Sequence, residues 1–148
     1  MVPDPDLSLF PITAAISAQG RLTIAGHDLT GLAETYGTPL YLYDGQTVRN
    51  QIDRLQYLFK RYYPGQAMLA YASKAYFSFS IAQKIAHIGA GADVVSLGEI
   101  HLAQKAGFNP GVIHLHGNNK TAAELQAAID WGIQAIVVDN LDERSLKS

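Results

Sequence analysis

The stretch MLAYASKAYFSFSIAQKIAHIGAGADVVSLGE, residues 68–99, decides the fold. It opens on a short apolar run, MLAYA (68–72), turns through Ser73–Lys74, and continues with helical spacing over about 78–88 to Gly89. A second apolar run, ADVVS (92–96), leads into a helix over about 97–106 that ends at Gly107. The unit recurs downstream. VIHLH (112–116) precedes a helix at about 121–131 and Gly132, and AIVVD (135–139) precedes a helix beginning near Leu141. Four strand–helix units about 20–25 residues apart, with largely apolar strands, predict a parallel α/β sheet.

Upstream the pattern is different. Residues 1–20, with Pro3, Pro5 and Pro11 as breakers, are expected to hold little regular structure. RLTI (21–24) reads as a short strand, and Leu29–Tyr36 as a helix stopped by Gly37 with Pro39 beyond it. LYLY (40–43) reads as another strand. Asp44 is placed to cap a long amphipathic helix whose stripe is Val48, Ile52, Leu55 and Leu58–Phe59, ending before Pro64–Gly65.

Composition narrows the function classes. The chain has 148 residues, 48% hydrophobic and 16% charged, with a formal net charge of −2. It is long enough for a real core, and it lacks the basic block that a nucleic-acid partner would require. No apolar run approaches the roughly 20 residues of a membrane span. The N-terminal MVPDPDLSLF suits neither a secretory signal nor a transit peptide. The absence of cysteine excludes disulfides and thiolate metal sites and fits a reducing compartment, so the cytoplasm is the default reading.

Two α/β architectures compete. A dinucleotide fold needs G-x-G-x-x-G after its first strand, but Gly89 and Gly91 precede a strand and Val94 takes the third glycine's place. A P-loop also fails, because Lys120–Thr121 lacks a preceding glycine. A (β/α)8 barrel remains. Closing one takes roughly 250 residues, so four units make its first half. On that reading the chain is the front portion of a longer protein, with residues 1–43 as lead-in and 44–148 as the half-barrel.

In a barrel, functional side chains gather at the C-terminal ends of the strands. Those ends carry Lys74, Asp93 to Ser96, His116 with Asn118 and Asn119, and Asp139. Lys74 is either a solvated loop lysine or a nucleophile. Its neighbours Ala75, Tyr76 and Phe77 would desolvate the amine and free it to attack a carbonyl. Asp93, inside an apolar strand, needs a partner, either a structural cation or a site beside the lysine. His114 and His116 share one strand face, but without a third ligand at a set spacing no metal is expected. Thr121 and Glu124 form a capping box at the helix after HGNNK. The aromatic pairs Tyr62–Tyr63 and Phe77–Phe79 read as packing.

YGTPLYLYD, AYASKA, GADVVSLGE and HLHGNNKT, in this order, together resemble the N-terminal part of the diaminopimelate decarboxylase family. That family shares the pyridoxal-phosphate fold of alanine racemase and ornithine decarboxylase, a (β/α)8 barrel with a β-domain. The resemblance runs from about Leu29 to the last residue; each motif alone is modest, and their combination with HGNNK is what favours the diaminopimelate branch. It implies that Lys74 forms a Schiff base with pyridoxal 5'-phosphate, that Asp93 lies near lysine and cofactor, and that Ala72 lines the pocket. His116 and Asn118 would lie near the site, and the segment to about Tyr43 would join the β-domain. The implied activity is decarboxylation of meso-diaminopimelate to L-lysine by a cytoplasmic homodimer with shared active sites. The family's ring-stacking histidine, phosphate loop, pyridine-nitrogen acid and substrate arginines would lie beyond the fourth unit, so this chain alone is expected to be inactive. Decarboxylation of ornithine or arginine, and a non-catalytic cofactor carrier of the same barrel type, are the competing readings. A class I aldolase would also use a barrel lysine, usually on a later strand.

Overall fold

The computed structural model describes residues 6–139, so Pro3, Pro5 and the helix expected near Leu141 lie outside the described residues. Contacts divide the chain into two units between Gln51 and Ile52.

The first unit holds a three-stranded antiparallel meander, β1 (Ala14–Ile16), β2 (Leu22–Ile24) and β3 (His27–Asp28), followed by helix α1 (Leu29–Tyr36). β2 and β3 pair Ile24 with His27, leaving a two-residue turn at Ala25–Gly26 with φ of 49° and 81°. Two positive φ angles suit the twist of a tight hairpin, and glycine takes the second at no steric cost. Asp28 ends the meander and starts the helix. Its carboxylate accepts from the Thr30 N–H at 2.9 Å and from Arg21 Nη1 at 2.8 Å. Two expectations for this region need correction. A short 3-10 turn at Leu7–Leu9 and strand β1 occupy a segment expected to be irregular, because Ala14–Ile16 finds ladder partners in Leu22–Ile24. LYLY is not a strand: residues 40–43 have no ladder partner among the described residues, and Tyr41 is 86% exposed.

Asp44 caps helix α2 (Gly45–Tyr62) as expected, accepting from the backbone of Gln46 and Thr47 at 3.2 Å each and from Thr13 Oγ1 at 3.0 Å. Burial opposes this carboxylate's charge, yet the Thr47 hydroxyl, which also donates to it, and then the Thr13 hydroxyl and the Gln46 and Thr47 N–H groups hold its pKa below the ordinary 3.8. Of the expected apolar stripe only Ile52 is buried, whereas Leu55, Leu58 and Phe59 are exposed.

The second unit is the repeating one. Strands β4 (Ala70–Ala72), β5 (Gly91–Val94), β6 (Ile113–Leu115) and β7 (Ala135–Ile136) form one parallel sheet in chain order. Helices α3 (Phe79–Ile88), α4 (Leu97–Ala106) and α5 (Ala122–Trp131) connect them. Each helix starts at a hydroxyl cap, Ser78, Ser96 or Thr121, and stops at a left-handed glycine, Gly89, Gly107 or Gly132. The strand period of two sorts the side chains. Ala92, Val94, Ile113 and Leu115 are fully buried, together with Ile85 of α3, Ile100 and Ala103 of α4, and Ala128 of α5. The alternate positions Ala72, Asp93 and His114 are half-buried. One sheet face therefore makes the core with the helices, and the other carries the polar residues.

Candidate functional site

Register builds the site on the polar face. Ala72 pairs with Asp93, Asp93 with His114, and His114 with Ala135, so these four residues form one row across the parallel strands. His116 continues β6 past its end, its N–H donating to the Val94 carbonyl at 2.8 Å, and falls on the same face as His114. His114 Nδ1 donates to Asp93 Oδ1 at 3.2 Å, and His116 Nε2 stands 3.7 Å from the same oxygen. Asp93 thus has imidazole partners, where the sequence left a structural cation or a lysine-side site as the alternatives. The two histidines gain a third ligand-type group from the next strand, their donor atoms and Asp93 oxygen all lying within 4.8 Å of one another. A divalent metal there would have to displace the Nδ1 proton that His114 shares with Asp93.

Lys74 lies at the C-terminal end of β4, in a 3-10 turn over Ser73–Ala75, and is exposed. The expected desolvation is absent, for a physical reason. Tyr71 donates its hydroxyl to the Tyr76 carbonyl at 2.8 Å and lies 6.3 Å from the Phe77 ring, and Phe77 packs toward Phe108 at 6.2 Å. Phe77 is taken up between Tyr71 and Phe108 and the Tyr76 side chain is itself exposed, so the amine stays in solvent. Asn118 and Asp139 are exposed as well. The HGNNK loop is closed from within. Lys120 is buried and donates to the carbonyl of Gly117, whose φ of 113° only glycine adopts readily.

Sequence reasoning missed Glu99. Its Oε2 accepts from Ser73 Oγ at 2.7 Å and from the Val95 N–H at 2.7 Å, tying the β5–α4 loop to the residue before Lys74. The available signal was the spacing Ser96-x-x-Glu99, which places a carboxylate at the third position of α4. Glu124 holds the same place in α5 and closes the expected capping box, accepting from the Thr121 N–H at 2.8 Å, while its other oxygen takes the Leu97 N–H at 3.3 Å. The Thr121 N–H, with the Thr121 hydroxyl and Leu97 N–H, holds the Glu124 pKa below the ordinary 4.5 against partial burial.

Chemically, the face offers an exposed primary amine at the rim, a small side chain beside it in Ala72, and an acid–imidazole pair able to hold a proton. Among the described residues no helix is long and apolar enough to cross a membrane.

Residues 48–146 match the family model "Pyridoxal-dependent decarboxylase, pyridoxal binding domain". The diaminopimelate decarboxylase of Bacillus subtilis is 43% identical over 135 residues, covering 90% of this chain and 30% of that protein. The enzyme of the same name from Halalkalibacterium halodurans is 42% identical over 135 residues, with the same coverage of 90% and 30%. The crystal structure of diaminopimelate decarboxylase from M. jannaschii in co-complex with L-lysine superposes with a TM-score of 0.84 at 36% identity, covering 91% of this chain and 32% of that one. The chain thus spans about a third of the length of the curated relatives it matches, in their pyridoxal-binding barrel.

Proposed function

The chain belongs to the pyridoxal-dependent decarboxylases, through their pyridoxal binding domain, and from that premise we propose that the whole protein converts meso-diaminopimelate to L-lysine and carbon dioxide, with Lys74 as the covalent anchor of pyridoxal phosphate. One observation carries the anchor assignment: an exposed lysine at the C-terminal end of β4, next to the face bearing Ala72 and Asp93. The substrate follows from the relatives, since proteins named diaminopimelate decarboxylase reach 42–43% identity over 90% of this chain.

The residues present fit the cofactor. Lys74 offers a solvent-accessible amine to an aldehyde, and Ala72 keeps the adjoining row position small. When bound, pyridoxal phosphate supplies an electron sink for the pair left by a departing carboxylate. This chain's residues do the remaining work. Lys74 attaches and releases. Asp93 accepts the His114 Nδ1–H, which fixes the ring's tautomer and leaves Nε2 as an acceptor. Asp93 and His116 face the same site and complete its proton-holding set. Homodimer assembly and a cytoplasmic location belong to the same proposal, supported by the family resemblance.

The test is turnover. The protein at its full natural length, loaded with pyridoxal phosphate, is offered meso-diaminopimelate, ornithine and arginine in parallel. Lysine and carbon dioxide from the first substrate are expected. Preferential turnover of ornithine or arginine would overturn the substrate assignment, and cofactor retention without any turnover would favour a carrier.

A further inference from the structure

Glu99 lies outside the row of site residues, yet its contacts end one residue short of Lys74. Resting on the anchor assignment above, we propose that Glu99 is a positioning residue for Lys74, acting through Ser73. Ser73 is 2% exposed and directly precedes the lysine. A hydroxyl at that burial requires a partner, and the one it has is charged: Glu99 Oε2, at 2.7 Å. The same oxygen accepts the Val95 N–H, also at 2.7 Å. One atom therefore joins the end of β4 to the end of β5, the strand that carries Asp93.

A helix cap alone does not explain this arrangement. In α5 the equivalent Glu124 folds one oxygen back onto the N–H of its own cap residue, Thr121, and takes the Leu97 N–H with the other, whereas Glu99 leaves its own cap N–H alone. In α4 the cap Ser96 accepts from the Glu99 N–H at 3.3 Å, but the Glu99 carboxylate goes to Val95 and across to β4. The carboxylate of the second strand–helix unit fixes the rim turn of the first. With Ser73 held, the Cα of Lys74 has a set position relative to β5. Without that hydrogen bond the 3-10 turn is free to shift, and the lysine spreads over positions from which it cannot reach a cofactor lying on the Asp93 face. Because both bonds land on one oxygen, the amide oxygen of glutamine can replace it.

The experiment measures loading of the protein with pyridoxal phosphate, by the visible absorbance of the lysine-bound cofactor and by the rate of borohydride trapping mapped by mass spectrometry. Hydrogen exchange at residues 73–75 in the cofactor-free protein gives a readout independent of loading. Ser73→Ala and Glu99→Ala are each expected to weaken loading about ten-fold, the scale of one hydrogen bond. The double variant should be no worse than Glu99→Ala, since both remove one link. Glu99→Gln should load like the parent, and exchange at 73–75 should rise only in the variants that lack the Ser73–Glu99 bond, namely Ser73→Ala, Glu99→Ala and their double. Ser78→Ala, which removes the α3 cap without touching Ser73 or Glu99, should lower the Tm and leave loading unchanged. Parental loading in Ser73→Ala, or effects that multiply in the double variant, would overturn the proposal. If Glu99→Ala does not fold, Ser73→Ala decides alone. A borohydride-trapped pyridoxyl label undiminished in Lys74→Ala would instead overturn the anchor assignment itself, and with it this inference.

Discussion

Gly91→Ala tests how tightly the site-bearing strand is clamped. Gly91 begins β5, two residues before Asp93, and a Cβ placed there would lie less than 3.0 Å from the Val112 carbonyl oxygen and 3.2 Å from the Met68 sulfur. The sulfur can swing away, but the carbonyl is backbone. β5 cannot retreat easily, because the Gly91 N–H donates to the Leu69 carbonyl at 2.9 Å on the other side while Ala92 pairs with Ile113. The methyl must therefore push β6 away or break one of those ladders. Overpacking of this kind costs about 1–3 kcal/mol. For a chain of this size that corresponds to a Tm lower by about 2–4 °C per kcal/mol, hence roughly 2–12 °C. The assay is a thermal melt beside Gly98→Ala, where the added Cβ meets nothing closer than Ser96 Oγ at 4.0 Å. That control should be neutral or stabilising by up to about 1 kcal/mol. If Gly91→Ala melts with the parent, the close approach of β5 and β6, and with it the register that aligns Asp93 with His114, is wrong.

Other substitutions probe separate parts of the account. Leu115→Ala, in the fully buried row of β6, should cost about 2–5 kcal/mol in urea unfolding. Glu124 has a folded pKa below its ordinary 4.5, so its contribution is complete above pH 4.5 and fades as pH falls through the folded value. Accordingly, Glu124→Ala should lose about 1 kcal/mol near neutral pH, and the gap to the parent should narrow in melts taken below pH 4.5, whereas a gap constant with pH would contradict the capping role. Asp93→Asn removes the charge facing two imidazoles on a residue 31% exposed. It should reduce cofactor loading about ten-fold while shifting the Tm little, as measured by absorbance titration and melting.

The strand–helix repeat was legible because each unit carries its own punctuation. Ser78, Ser96 and Thr121 start the helices and Gly89, Gly107 and Gly132 stop them, and the helices run from Phe79, Leu97 and Ala122 as that punctuation requires. LYLY misled because an apolar run becomes a strand only when a neighbouring strand pairs with it, and residues 40–43 join no ladder among the described residues. β1 escaped notice because three apolar residues between Thr13 and Ser17 give almost no period; only pairing with β2 defines it. At the site, the position of Lys74 was readable from the end of its strand, but its exposure was not. Whether Tyr76 and Phe77 shield the amine depends on where Tyr71 and Phe108 stand. Asp93 and His114 lie 21 residues apart, and only the parallel register reveals that they share a hydrogen bond. Glu99 shows the same limit: its spacing from Ser96 signals a cap, and nothing local signals its reach to Ser73.

The central claim is that Lys74 anchors the cofactor, and borohydride reduction of the loaded protein followed by peptide mapping tests it most directly. The account predicts one stable pyridoxyl label, on the peptide containing Lys74, and loss of both the label and the visible absorbance in Lys74→Ala. A label on Lys84, Lys105 or Lys120 in the parent, or undiminished labelling of Lys74→Ala, would contradict it.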